Sequence, residues 1–177
     1  MVTIDLITGF LGSGKTTFLK KYAEYLMDQG LHIGILENDF GAINVDMLML
    51  HELRGDQCEL EMIAGGCDAE SHRRRFRTKL ISMRMCGYDR VLVEPSGIYD
   101  VDEFFDVLRE EPLDQWYEIG NVIAILDARL ENNFSQQADY LLASEAANAG
   151  KVILRGSKIG RAVQQECRDR SRMPSSA

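Results

Sequence analysis

A chain of 177 residues, 45% hydrophobic and 27% charged, carries enough apolar material for one core of ordinary size and too much for a disordered segment. Its net charge of −8 argues against nucleic acid as a partner, because a phosphate backbone demands a basic face. Its four cysteines, Cys58, Cys67, Cys86 and Cys167, form no CxxC pair and no dense disulfide spacing, which fits a reducing cytosol.

The chain opens on "MVTIDLITGF", which carries Asp5 and lacks the basic leader of a signal peptide. No apolar run is long enough to cross a bilayer. The expected location is therefore cytoplasmic, with no membrane partner. Val2 to Thr8 is rich in β-branched and apolar residues and predicts a strand. Gly9-Phe10-Leu11-Gly12-Ser13-Gly14-Lys15-Thr16 follows and fits G-x-x-x-x-G-K-[ST] at every fixed position. Phe18, Leu19, Tyr22, Ala23 and Leu26 then recur at helical spacing, and Gly30 stands where a C-terminal cap belongs. A strand before and a helix after is the context a phosphate-binding loop needs. Its glycines let the backbone fold tightly and turn N–H groups inward, and the helix N-terminus adds a partial positive charge. Lys15 can reach the β- and γ-phosphates, and the Thr16 hydroxyl can ligate Mg²⁺. Thr17 faces the base-proximal phosphate or packs.

Leu31 to Asp39 reads as a second buried strand, and Glu59 to Gly66 as a short edge strand. Ser71 to Arg84 predicts a basic amphipathic helix with Phe76, Leu80, Ile81 and Met83 as its apolar positions. Arg90 to Gly97 is a strand that stops on Glu94 and Pro95, and Val101 to Arg109 is helical. Asn121 to Ala128 is another buried strand, stopping at Asp127. Gln136 to Ala149 predicts a helix capped by Gly150, and Lys151 to Leu154 the last strand. Strands alternating with helices, and mostly continuously apolar, predict a parallel sheet covered on both faces: a three-layer α/β P-loop NTPase fold. Ligands of such sheets bind beyond the carboxyl ends of the strands, where Asp39, Glu94 and Asp127 should approach the loop. Residues 1–154 form the expected nucleotide-binding domain. The tail from Arg155 to Ala177 is polar and basic, and is expected to be poorly ordered or non-native.

The ordered series "LITGFLGSGKTTFL", "ENDFG", "GGC", "YDRVLVEPSG" and "VIAILDA" resembles the CobW-like metal-insertion GTPases, relatives of the urease and hydrogenase nickel chaperones. The resemblance covers roughly residues 2 to 154. It implies that Gly9, Gly12, Ser13, Gly14, Lys15, Thr16 and Thr17 hold the phosphates and magnesium. It places Asn38, Asp39 and Gly41 in a first switch loop, and Glu94 at the acidic end of an E-[ST]-[ST]-G segment whose Gly97 offers its N–H to the γ-phosphate. Here that segment reads Glu94-Pro95-Ser96-Gly97, and the proline removes one backbone donor.

The family's G-G-C-x-C-C segment reads Gly65-Gly66-Cys67-Asp68-Ala69-Glu70 here, so only the first cysteine is kept. A site for Zn²⁺ or another divalent transition metal would draw on Cys67, Cys58 and His72, with Asp68 and Glu70 also near in sequence. A lone cysteine beside two glycines is also what a tight turn takes. His32 and His51 show no partner pattern. Arg73, Arg74, Arg75, Arg77 and Lys79 read as a solvated helix face, or as a surface that docks an acidic partner or a second copy.

The family's guanine reader, [NST]-K-x-D, follows the last strand. Ser157-Lys158 resembles its start, while Gly160 stands in place of the carboxylate. The smaller C-terminal domain of many family members is expected to be absent. The resemblance thus implies an Mg²⁺-dependent GTPase domain of a metallochaperone, binding GTP and GDP. A metal-receiving client and a nucleotide-dependent homodimer are the partners it implies. Asp39 or Glu94 would orient the attacking water, with Lys15 neutralising phosphate charge. A P-loop ATPase or small-molecule kinase, and a truncated nucleotide-binding module without turnover, are the rival readings.

Overall fold

The computed structural model describes residues 1–10, 12–39, 45–64, 69–95, 101–127, 143 and 146–156. The described strands are β1 (Val2–Thr8), β2 (Ile33–Asp39), β3 (Cys58–Ala64), β4 (Arg90–Pro95), β5 (Tyr117–Asp127) and β6 (Lys151–Arg155). Between them run α1 (Lys15–Asp28), α2 (Val45–Leu50) with a 3₁₀ turn over His51–Leu53, α3 (Ala69–Arg84), α4 (Val101–Leu108) and the short α5 (Leu113–Trp116).

The six strands form one sheet in the order β3-β2-β4-β1-β5-β6, with every named pairing parallel. Strand alternation divides the core in two. Val2, Ile4, Leu6, Val91 and Val93 pack with Phe76 and Leu80 of α3 and Phe104 and Val107 of α4 on one face. Ile7, Ile35, Leu92, Ile123 and Ile125 pack with Leu19, Ala23 and Leu26 of α1 on the other. Both faces are covered, so the strands must be apolar on both sides, which is why they read as continuous hydrophobic runs. This is the three-layer α/β arrangement expected from the sequence, and β3 is an edge strand as expected.

Helix α1 closes as its sequence suggested. The Gly30 N–H donates to the Met27 carbonyl at 2.8 Å and the Leu31 N–H to that of Leu26 at 3.3 Å, a Schellman pair of hydrogen bonds. β5 departs from expectation by beginning at Tyr117 rather than Asn121. β6 pairs only with Ile123 to Asp127, so the first half of β5 has sheet on one side only among the described residues. Glu118, Ile119 and Gly120 are exposed there, and a half-exposed strand lacks the unbroken apolar signature. Its pairing with β1 also slips between Ile4 and Leu6, beside the fully buried Asp5. The Asp5 carboxylate accepts from the Asn121 N–H at 2.6 Å, Tyr22 Oη at 2.8 Å and Arg90 Nη1 at 2.7 Å. The predicted helix from Gln136 is described only near its end, over residues 146–148, and the tail beyond residue 156 lies outside the described residues.

Candidate functional site: the phosphate-binding loop

The loop leaves the carboxyl end of β1 at Gly9 and enters α1 at Lys15. A Cβ on Gly9, at φ 145°, would run into the Ile125 carbonyl oxygen of β5, so the loop can lie this close to the sheet only with glycine there. Gly14 caps α1 at φ 97° and makes no side-chain capping bond, which leaves the first-turn N–H groups facing the loop interior without a side-chain oxygen. That is the electrostatic setting for an anion. The loop is braced internally by the Ser13 N–H donating to Phe10 O at 3.1 Å. The buried Ser13 Oγ has no hydrogen-bond partner among the described residues. Lys15 is buried, with Nζ 3.4 Å from Phe10 O. Gly12 and Thr17 are exposed on the outer side.

Thr16 carries the loop's one hydrogen bond to a distant strand among the bonds described. Its Oγ1 donates to Glu94 Oε1 at 2.8 Å, both groups buried. Glu94 stands at the end of β4 and is the register partner of Glu37 in β2. Alternation puts both carboxylates on the α1 face, with Ile35 and Leu92 two residues before them in the core of that layer. Glu37 is only 2% exposed and Glu94 7%. Sequence reasoning missed Glu37. Its signal was an acid directly after the apolar run "IGIL", within the strand Ile33–Asp39. A threonine hydroxyl and two neighbouring buried carboxylates are hard oxygen donors, and their combined charge at low dielectric favours a cation such as Mg²⁺. The chemistry of these donors therefore fits the metal that the loop sequence implies.

Other expected residues are placed as follows. Asp39 closes β2, but its side chain lies outside the described residues. Asp127 closes β5 as the register partner of Arg155. Cys67, Asp68, Gly41, Gly97, Ser157, Lys158 and Gly160 also lie outside the described residues.

Cys58 has to be removed from the expected transition-metal ligands. It opens β3, with Ala64 at the strand's other end about 20 Å away at about 3.3 Å per residue. It packs with Ile33, Ile35 and Leu50, and burial pushes its thiol up to about 11, so at neutral pH it is a small apolar core group rather than a thiolate. His72 is buried in the first turn of α3, where Nδ1 lies 3.4 Å from Glu103 Oε1 of α4, in the layer opposite α1. No cluster of three or more His, Cys, Asp or Glu side chains with metal-holding geometry occurs among the described residues.

The basic face of α3 is largely committed within the molecule. Arg73 and Arg77 both engage Glu110, at 2.6 and 3.0 Å, and Lys79 engages Glu61 at 2.8 Å.

Comparison with known proteins agrees with this geometry. The chain is 30% identical over 158 residues to the zinc chaperone YeiR of Escherichia coli K12, covering 82% of this chain and 47% of that protein. It is 32% identical over 166 residues to the zinc chaperone YjiA of the same organism, covering 86% and 48%. The chain thus spans about half the length of these curated relatives. Among solved structures it resembles FtsY of Mycoplasma mycoides, with a TM-score of 0.60 at 17% identity over 87% of this chain and 51% of that one. It also resembles a Zn(II)-bound triple mutant of the YjiA GTPase, with a TM-score of 0.53 at 21% identity over 86% and 48%. Both likenesses are likenesses of fold. A family model for the CobW/HypB/UreG nucleotide-binding domain matches residues 3–171, and with nearly the whole chain inside that match the protein belongs to the CobW/HypB/UreG family.

Proposed function

We propose that residues 1–154 form an Mg²⁺-dependent GTP-binding and GTP-hydrolysing domain whose nucleotide state governs the holding and delivery of a transition metal. The observation that carries this reading is the buried bond from Thr16 to Glu94, with Glu37 alongside. It ties the phosphate-binding loop to the end of the strand from which a hydrolytic carboxylate would act.

The chemistry asked of the protein is positioning and charge stabilisation. First-turn N–H groups of α1 and the Lys15 ammonium would neutralise the β- and γ-phosphates. Thr16 and Glu94 would hold magnesium, which would supply positive charge against that developing on the phosphate. The Thr16 oxygen can face that ion while its hydroxyl proton is donated to Glu94, so one side chain would serve both partners. Glu94 or Asp39 would orient the attacking water. Ser157-Lys158 would lie against the base. Zinc is the cargo best supported, since the curated relatives named above are zinc chaperones. Cys67 falls in sequence between the two segments that would respond to the γ-phosphate, Asn38 to Asp46 and the one after Glu94. A metal-receiving client and a nucleotide-dependent second copy are the partners this implies.

The test is phosphate release from GTP and from ATP, with and without magnesium, beside a titration of labelled GDP against labelled ADP. Magnesium-dependent release from GTP together with a GDP preference supports the proposal. Binding without release favours a nucleotide-binding module that does not turn over, the reading suggested by Gly160 in place of the guanine-reading acid. Equal zinc affinity with GDP and with a non-hydrolysable GTP analogue would refute the coupling to metal.

A further inference from the structure

We propose that Arg155 is a phosphate-contacting residue of the nucleotide site, a second cation set against the loop from the far edge of the sheet. The inference rests on the nucleotide-binding reading above and adds a residue that the loop motif does not contain.

Arg155 is the last residue of β6 and the register partner of Asp127. Ile153, two residues earlier, packs in the layer beneath α1, so alternation sends Arg155 to the same face. There its guanidinium lies over Gly14, the capping residue of α1. A Cβ built on Gly14 would be 2.5 Å from Arg155 Nη1 and 3.1 Å from its Cδ and Cζ. Gly14 is favoured by its φ of 97°, and the guanidinium lies directly against it.

Among the described residues the Arg155 side chain makes no hydrogen bond or ion pair, its backbone pairing in the sheet aside. Three sources of positive charge therefore belong to one loop: the N-terminus of α1, the Lys15 ammonium near Phe10 O, and this guanidinium over Gly14. Cations beside a helix N-terminus repel its dipole, and the arrangement becomes favourable when an anion is held between them. A planar guanidinium with its donors in a fixed fork suits a phosphate, which it can grip through two oxygens. Because such a contact reads phosphate and not base, it adds affinity whatever the guanine-reading segment does.

The test measures binding of Mg·GDP to the full chain, for the wild type, Arg155→Gln and Arg155→Lys, over a range of salt concentrations. Arg155 is exposed, so the variants should keep the melting temperature of the nucleotide-free protein. Expected is a loss of affinity of about tenfold in Arg155→Gln, with a shallower salt dependence, and partial retention in Arg155→Lys. Unchanged affinity in Arg155→Gln overturns the inference and leaves the nucleotide reading standing. A loss with unaltered salt dependence also overturns it, since the contact would then be to the base or ribose. Absence of wild-type binding removes the nucleotide reading itself, and this inference with it.

Discussion

Glu94 accepts one hydrogen bond from Thr16 and faces a second carboxylate across the strand boundary, and both facts bear on what replacing it would do. Glu94→Gln keeps an acceptor for the Thr16 hydroxyl while removing the charge that would hold magnesium and orient water. We expect GDP affinity within about threefold of wild type, and magnesium-dependent phosphate release lower by about a hundredfold or more, the usual scale for loss of a positioned base. Single-turnover phosphate release checks this, and an undiminished rate would exclude Glu94 from the chemistry. Cys58 invites a different measurement. Its buried thiol stays protonated, whereas Cys86 is exposed. Brief alkylation at pH 8 followed by peptide mass analysis should label Cys86 and leave Cys58 untouched until denaturant is added. Labelling of native Cys58 at a comparable rate would return it to the candidate metal ligands.

Between elements, a buried polar tie in the sheet is the Asp5 cluster, which joins β1 to α1, β4 and β5 through three donors. Asp5→Ala leaves Arg90 partly buried without its acceptor, and should cost about 3 kcal/mol or more in denaturant unfolding. Glu110→Ala breaks bridges whose partners are about a third exposed, and should cost less than about 1 kcal/mol. Equal losses in the two would mean that the buried cluster contributes no more than a surface pair. The same cluster shows why one element was hard to read from sequence. Where a strand lies inside the sheet, as in β1, β2 and β4, its two-sided burial leaves an unbroken apolar run, and its position follows. The first half of β5 is sheeted on one side, shifted in register and bonded to a buried acid, and none of these leaves a local signature. Helices α2 and α5 are too short for a helical period to show. The loop was legible because its backbone geometry demands particular residues at fixed spacing. Glu37 was not, because its importance comes from Glu94, a neighbour in the sheet but far along the chain. Arg155 was hidden the same way, its relation to Gly14 existing only once β6 is in place.

For the whole molecule, the described phenols and thiol with displaced protonation move in one direction. Burial raises Tyr22, Tyr88, Tyr117 and Cys58, so each favours its neutral form in the folded state. A raised folded value gives stability that is fully present below the unfolded value and is lost as pH climbs through the folded one. The melting temperature should therefore fall progressively as pH rises from about 8.5, the ordinary thiol value, through 11 and beyond. A flat profile to pH 11 would show that these groups titrate alike folded and unfolded. Nucleotide acts in the opposite sense: Mg·GDP at a hundred times its Kd should raise the melting temperature by about 5–10 °C.

The strand order also bears on how the protein is made. β1 precedes the other described strands in the chain, yet it occupies an inner position, flanked by β4 and β5. Asp5 and the loop after it therefore leave the ribosome before their partners Arg90, Glu94, Asn121 and Arg155. A nascent chain that ends before Lys151 carries the complete phosphate-binding motif without β6 and the Arg155 contact proposed above. The loop is thus synthesised before the strands that surround it, and a ribosome paused before β6 would expose it without the cation proposed to lie over Gly14.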